Sequence, residues 1–183
     1  MSKTLLLLGR RLAGKLALLG ALAALASPSQ AQSVEAKVKA AFLYNFVKYV
    51  EWPGSAFDSD SSPIVIGIVG NDSLAGALES VVEGKTAGGR RLMVRHLRWS
   101  DDLSACQELF VPAGEMGGAA RLSNLRGKPV LIVGEAPGFA RKHGAINFTV
   151  EGNRVRFEIN GATASQGGLS ISSKLLSLGK APS

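Results

Sequence analysis

Pro63-Ile64-Val65-Ile66-Gly67-Ile68-Val69-Gly70-Asn71-Asp72-Ser73-Leu74-Ala75-Gly76-Ala77-Leu78-Glu79-Ser80-Val81-Val82 decides the fold class. Its first half is so continuously β-branched that it suits a strand covered on both faces. Asn71, Asp72 and Ser73 supply turn and cap chemistry, and Leu74–Val82 then carries a helical pattern. A buried strand followed at once by a helix is the first half of a crossover unit.

Reading outward from it, Gly84–Gly89 is a glycine-rich turn and Leu92–Trp99 alternates as a second strand. Glu108–Val111 is a short third strand, Ala119–Leu125 a short helix stopped by Gly127, and Val130–Val133 a fourth, buried strand. Ala145–Val150 and Arg154–Ile159 have strand composition and are joined by Glu151-Gly152-Asn153, which predicts an antiparallel hairpin. In Arg154–Ile159 the alternation predicts Val155, Phe157 and Ile159 inward and the charges outward, as at a sheet margin. A polar segment from residue 161 ends in a helical turn or two over Lys174–Leu178. Together these predict an α/β domain: a mostly parallel sheet of about six strands, helices on both faces and a C-terminal antiparallel hairpin.

On the N-terminal side stands Ala40-Ala41-Phe42-Leu43-Tyr44-Asn45-Phe46-Val47-Lys48-Tyr49-Val50-Glu51-Trp52-Pro53, with five of the chain's eleven aromatic residues. At 3.6 residues per turn Val34, Val38, Phe42, Phe46 and Val50 share one stripe, predicting a helix with a broad apolar face. Ser33 is its expected N-cap and Pro53 its stop. Tyr44, Lys48 and Trp52 lie along a neighbouring strip and are the candidate partner-binding residues.

Residues 1–31 read as a signal peptide. Lys3, Arg10, Arg11 and Lys15 form a basic region, Leu16–Ala26 is uninterruptedly apolar, and Ser29-Gln30-Ala31 offers a cleavage site after Ala31. The apolar run is too short to cross a bilayer. Of the 21 basic residues four fall in this segment, so residues 32–183 carry 17 basic and 14 acidic residues, a net charge of +3. Nucleic-acid binding and membrane insertion after cleavage are therefore not expected. The remaining length fits a single domain, residues 32–183. The single cysteine, Cys106, excludes an intramolecular disulfide, and His96 and His143 are too far apart in sequence, with no nearby cysteine pattern, to suggest a metal site.

Motifs for chemistry fail on spacing. Gly84-Lys85-Thr86 resembles the end of a phosphate-binding loop, but Glu79 stands where that motif needs glycine. No G-x-G-x-x-G passes through Gly67 and Gly70, so no dinucleotide cofactor is expected. Gly168-Leu169-Ser170-Ile171-Ser172 lacks the last glycine of a nucleophile elbow. No catalytic residue is assigned, and enzymatic activity is not expected. What survives is a set of polar residues in apolar or turn settings: Asn45, Asn147, Ser170, Ser172, Ser173 and Lys174. Each needs a hydrogen-bond partner if buried. They are either internal pins or, for Asn45, Asn147, Ser170, Ser172 and Lys174, the lining of a small-ligand pocket.

Ala40–Phe46 with Lys48 and Glu51-Trp52-Pro53 resembles the opening signature of the YfiR family. The likeness continues through Ile68-Val69-Gly70, Gly84-Lys85, Cys106–Val111, Gly127–Leu131, Ile146-Asn147-Phe148, Asn153–Asn160 and Ser172–Leu176. The resemblance implies a Rossmann-like α/β domain in the periplasm, often a homodimer and without catalytic residues. It also implies binding to the periplasmic domain of a membrane diguanylate cyclase, which holds that enzyme off and lowers cyclic di-GMP and biofilm formation. The type member has disulfides. Here the position implied for a partner of Cys106, in the first strand, is Gly67, so a redox switch within one chain is not expected, and an intermolecular bridge needs an exposed Cys106 thiol. The other expectation from a different class is a periplasmic small-ligand sensor or carrier serving a kinase or transporter.

Overall fold

A computed structural model describes residues 28–70 and 73–183. The basic and apolar parts of the expected signal peptide, and the Asn71 and Asp72 cap residues, lie outside the described residues. Helix α1 (Pro28–Tyr49) opens the described chain and leads into a two-residue strand, β1 (Val50–Glu51). It begins five residues before Ser33, so Ser33 lies within the helix and does not cap it. It also stops before Pro53 requires it to, because β1 pairs antiparallel with β9 (Ser170–Ile171).

β2 (Ile64–Val69) and α2 (Leu74–Val82) have the bounds the sequence predicts, although Ser73 makes no side-chain cap bond. They are followed by β3 (Thr86–Ala87), β4 (Arg90–Leu97), β5 (Glu108–Val111), β6 (Leu131–Gly134), α3 (Phe139–Lys142), β7 (Ile146–Glu151) and β8 (Arg154–Ile159). α4 (Gly161–Gln166), β9 and α5 (Ser173–Leu176) complete the chain. The main sheet has seven strands in the order β3-β4-β2-β5-β6-β7-β8, parallel through its centre and antiparallel at both margins. The seventh strand, β3, comes from the glycine-rich turn: Gly88 and Gly89, both with positive φ, fold Thr86-Ala87 back onto Arg90-Arg91. The segment between β5 and β6 is a 3-10 helix from Ala113 to Leu125, longer and more tightly wound than the short helix expected there. α4 was not predicted from the polar residues that form it.

Alternation along the central strands divides the interior in two. Ile66, Ile68, Phe110, Leu131, Val133, Ile146, Phe148 and Phe157 face α1 and α2. Val69, Leu97, Cys106, Leu109, Val111 and Ile132 face the 3-10 segment and Phe139 of α3. The core-facing stripe of α1 is Ala36, Ala40, Leu43, Phe46 and Val47, continued by Val50 of β1, not the stripe that includes Val34 and Val38. Val34 and Val38 are exposed, and Phe42 lies at the edge of the contact. The small residues Ala36 and Ala40 let the helix lie close against the layer beneath it, and α1 packs on α2 as well as on the sheet.

Under the helix, Phe42 and Phe46 meet Phe148 and Phe157 with ring centroids 5.1 to 6.1 Å apart. Each such pair contributes about 0.5–1.5 kcal/mol beyond area burial. At the β8 margin the C-terminal segment covers the outer edge: the Ile159 amide donates to the Lys180 carbonyl at 2.8 Å, and Lys180 N–H donates to the Phe157 carbonyl at 3.0 Å. Glu158 is buried beneath that segment rather than pointing into water as the strand alternation predicts.

Candidate functional site

β6 stops at Gly134, opposite Asn147, while β7 runs on to Glu151. The step leaves a hollow at the C-terminal end of the parallel strands, the end at which open α/β sheets bind ligands. α1 closes one side with Glu35 and Lys39; the turn after β6 supplies Glu135, and the β7–β8 hairpin supplies Asn147, Thr149 and Glu158 around a cavity of about 570 Å3.

Lys39 Nζ lies 2.5 Å from a carboxylate oxygen of Glu135 and 2.5 Å from one of Glu35. The second oxygen of Glu135 accepts from the Ala113 amide at 3.1 Å, which ties the end of β5 to the end of β6. Partial burial works against charging Lys39, but the hydrogen bonds and charges of Glu135 and Glu35 outweigh it and hold its pKa above the usual lysine value. Burial also disfavours the Glu158 anion. Here the Ser183 hydroxyl and amide, the Asn147 side-chain amide and the Arg141 charge prevail and keep the carboxyl below its ordinary range.

Asn147 is 2% exposed. Its Nδ2 donates to Glu158 at 3.3 Å, and that donation to an anion fixes which way the amide points. Among the described residues Asn147 Oδ1 is left without a partner, as is Thr149 Oγ1 two residues along the same strand face. Two buried acceptors therefore await a donor beside a cluster of fixed charges, an arrangement suited to a small molecule bearing N–H or O–H groups, or to ordered water.

The other residues singled out in the sequence lie elsewhere. Asn45 is half-buried on α1. Ser170 pairs with Glu51 in the β1–β9 ribbon, the Ser172 hydroxyl accepts from the Leu175 amide as the cap of α5, Ser173 opens α5, and Lys174 stands 5.2 Å over the Tyr49 ring. The structure brings Ser170, Ser172 and Lys174 together at the C-terminal end of α1 and leaves Asn147 to the cavity with Lys39.

Tyr44 and Lys48 are one helical turn apart. The Tyr44 ring lies under Lys48 Nζ at 5.4 Å and Lys85 Nζ at 4.7 Å. Trp52 follows β1 and is no longer on the helix. Its Nε1 donates to the Gln107 carbonyl at 3.0 Å, and it shares a cavity of about 500 Å3 with Lys48, Phe57 and Arg90. Gln107, absent from the candidates above, is a pin beneath this surface: Oε1 accepts from the Val65 amide at 2.8 Å and Nε2 donates to the Ala56 carbonyl at 2.7 Å. A polar residue immediately before the apolar run Glu108–Val111 was the available signal.

Cys106 is 2% exposed, its thiol donates to the Leu103 carbonyl at 3.1 Å, and burial pushes its pKa up to about 12. An intermolecular bridge needs an exposed thiolate, and this thiol is neither exposed nor readily ionised. Its neighbour across the sheet is Gly67, where an added Cβ would lie 3.2 Å from the sulfur.

The family model described as YfiR/HmsC-like matches residues 36–180. The chain belongs to the YfiR/HmsC-like family. At the level of the family it is a periplasmic regulator of diguanylate cyclase signalling that acts with a membrane signalling partner, and the members are regulators rather than known enzymes. No curated protein matches the chain. The matched region of this YfiR/HmsC-like chain runs from the first core turn of α1 to the segment that covers β8, so it takes in Ala40–Pro53, the Trp52 surface and most of the Lys39 cavity, while Glu35 and Ser183, which also line that cavity, lie outside it. Among the described residues no helix is long and apolar enough to cross a membrane, and no cluster of three His, Cys, Asp or Glu side chains forms a metal site.

Proposed function

We propose that this protein is exported by its signal peptide, binds the periplasmic domain of a membrane diguanylate cyclase and represses it, keeping cyclic di-GMP low and restraining biofilm formation. Family membership over residues 36–180 carries this reading. The contact surface proposed is the C-terminal end of α1 with the loop after it: Tyr44, Lys48 and Trp52. These residues combine aromatic area with positive charge: Trp52 is anchored by its bond to the Gln107 carbonyl, and the Tyr44 ring is covered by the Lys48 and Lys85 ammonium groups. Aromatic rings fixed at a surface lose little freedom on docking and dominate binding energy where they are buried by a partner.

Deleting the gene should raise cyclic di-GMP, and crosslinking from Tyr44 or Trp52 should capture a membrane cyclase. Unchanged cyclic di-GMP together with crosslinks to no membrane protein would refute the proposal.

A second reading, a small-ligand sensor or carrier serving a kinase or transporter, is favoured by the unpartnered Asn147 Oδ1 and Thr149 Oγ1 in the Lys39 cavity. Thermal-shift screening with amino acids and nucleotides separates the two. A ligand that raises the melting temperature of the natural protein but not of Asn147→Leu, with no cyclase bound, selects the sensor.

A further inference from the structure

At the opposite end of the parallel strands from the Lys39 cavity, by the N-terminal ends of β6 and β7, lies a second hollow of about 290 Å3, floored in part by Leu122 and Leu125 of the 3-10 segment. The turn into β6 brings Arg126 and Lys128, the end of α3 brings Arg141 and Lys142, and α4 brings Thr163 and Gln166. Among the described residues no aspartate or glutamate lines it. Residues bearing four formal positive charges thus line one small cavity, more than the net charge of +3 carried by residues 32–183 as a whole. None of the four is in an ion pair among the described residues, although Arg141 acts at longer range on Glu158 and Lys128 on Asp102.

Basic residues in the last turn of a helix complement its dipole, which accounts for Arg141 and Lys142 on α3 taken alone. It does not account for Arg126 and Lys128, which belong to a different segment and converge on the same space. Holding like charges together costs free energy that an anion relieves. A hollow of this volume has a radius of about 4 Å, so charges around its wall act on an anion at its centre from within one Debye length of about 8 Å at physiological salt. Two guanidinium groups offer paired N–H donors matched to tetrahedral oxyanions, and the two lysines add point charges. The Thr163 hydroxyl and Gln166 amide add neutral donors.

We propose that this cavity binds a phosphate group, either as free inorganic or organic phosphate or as the headgroup of an anionic phospholipid. A single carboxylate would leave most of the positive charge uncompensated, whereas a phosphate accepts from several cations at once.

The test is isothermal titration of the purified protein with inorganic phosphate and pyrophosphate, alongside sedimentation with phosphatidylglycerol and phosphatidylcholine vesicles. Arg126→Gln/Lys128→Gln and Arg141→Gln/Lys142→Gln are compared with the equally charge-reducing control Arg91→Gln/Arg154→Gln. All six positions are exposed, and unchanged melting temperatures verify folding. Saturable binding of phosphate or pyrophosphate, weakened about tenfold or more by each cavity pair and not by the control, supports the site with a free anion as its ligand. Binding only to phosphatidylglycerol vesicles, with the same dependence on the cavity pairs, supports it with a lipid headgroup as the source. Absence of binding to every probe, or binding that the cavity pairs retain or the control loses equally, overturns the proposal.

Discussion

Gly67→Cys should close a disulfide with Cys106. In a disulfide the Cβ of one residue stands about 3 Å from the sulfur of the other, a distance set by the S–S bond of about 2.05 Å. A Cβ built on Gly67 falls 3.2 Å from Cys106 Sγ, so the bridge needs little backbone movement. The bridge would close a loop of about 40 residues, worth about 4 kcal/mol through restriction of the unfolded chain. Against this, the new Cβ would stand 2.6 Å from Leu97 Cδ1. Moving that methyl group costs about 1–3 kcal/mol, as overpacking does elsewhere in cores. The net gain is therefore about 1–3 kcal/mol, or roughly 2–12 °C in melting temperature for a domain of this size.

Gly67→Ala isolates the cost, since it brings the same Cβ without the sulfur and should melt below the natural protein. The assay is thermal melting of Gly67→Cys with and without reductant, with titration of free thiols in denaturant. The oxidised form should show no free thiol and melt highest, and the reduced form should fall with Gly67→Ala. The natural protein should be indifferent to reductant, because its one thiol is buried and pushed up to about 12. Two free thiols after oxidation, or a bridged form that melts below the reduced one, would refute the reading of this pair.

Glu108 is fully buried, neither carboxyl oxygen has a partner among the described residues, and burial raises its pKa well above the ordinary value. The unfolded chain ionises this group near its usual pKa of about 4.3 while the fold keeps it protonated, so its contribution is full below that pH and is lost as pH rises toward the folded value. Glu108→Leu should therefore stabilise the protein by about 1–3 kcal/mol at neutral pH. Urea unfolding at pH 4 and pH 7 should show the smaller gain at pH 4, and an equal or larger gain there would exclude the mechanism. Lys39→Met removes the cation between Glu35 and Glu135 and should destabilise by about 2–4 kcal/mol. In the natural protein the Lys39 contribution is present below the ordinary lysine pKa and is lost as pH rises through the raised folded value, a decline that Lys39→Met should lack. Gln107→Leu leaves the Val65 amide and Ala56 carbonyl unanswered and should cost about 2–4 kcal/mol in chemical denaturation. Tyr44→Ala and Trp52→Ala, if still folded by circular dichroism, should lose repression of cyclic di-GMP in cells, and normal repression by both would remove that surface.

The parts of the fold legible in the sequence are those set by local chemistry. β2 is bounded by Pro63 and Gly70, and the β7–β8 hairpin is announced by Gly152-Asn153, both in the left-handed region. What failed depended on the second surface each element meets. α1 is apolar on more than one side, and only contact with α2 selects the stripe through Ala36, Ala40 and Leu43 over the one through Val34 and Val38. Glu158 reads as solvent-facing because alternation along β8 says nothing of the C-terminal segment, which returns to bond Phe157 and Ile159 and to bury the carboxylate. The candidate site divides on the same line. Asn147 stands out because an amide in an apolar strand needs a partner, but Lys39 and Glu135 join it only through the early end of β6, a length difference no periodicity encodes. Conversely Ser172 and Lys174 stand out for their polarity, but Ser172 is satisfied locally as the cap of α5, and Lys174 lies over the Tyr49 ring of the distant helix α1. A polar residue is thus a stronger sign of a site when no partner lies within a few residues of it, which is true of Asn147 and false of Ser172.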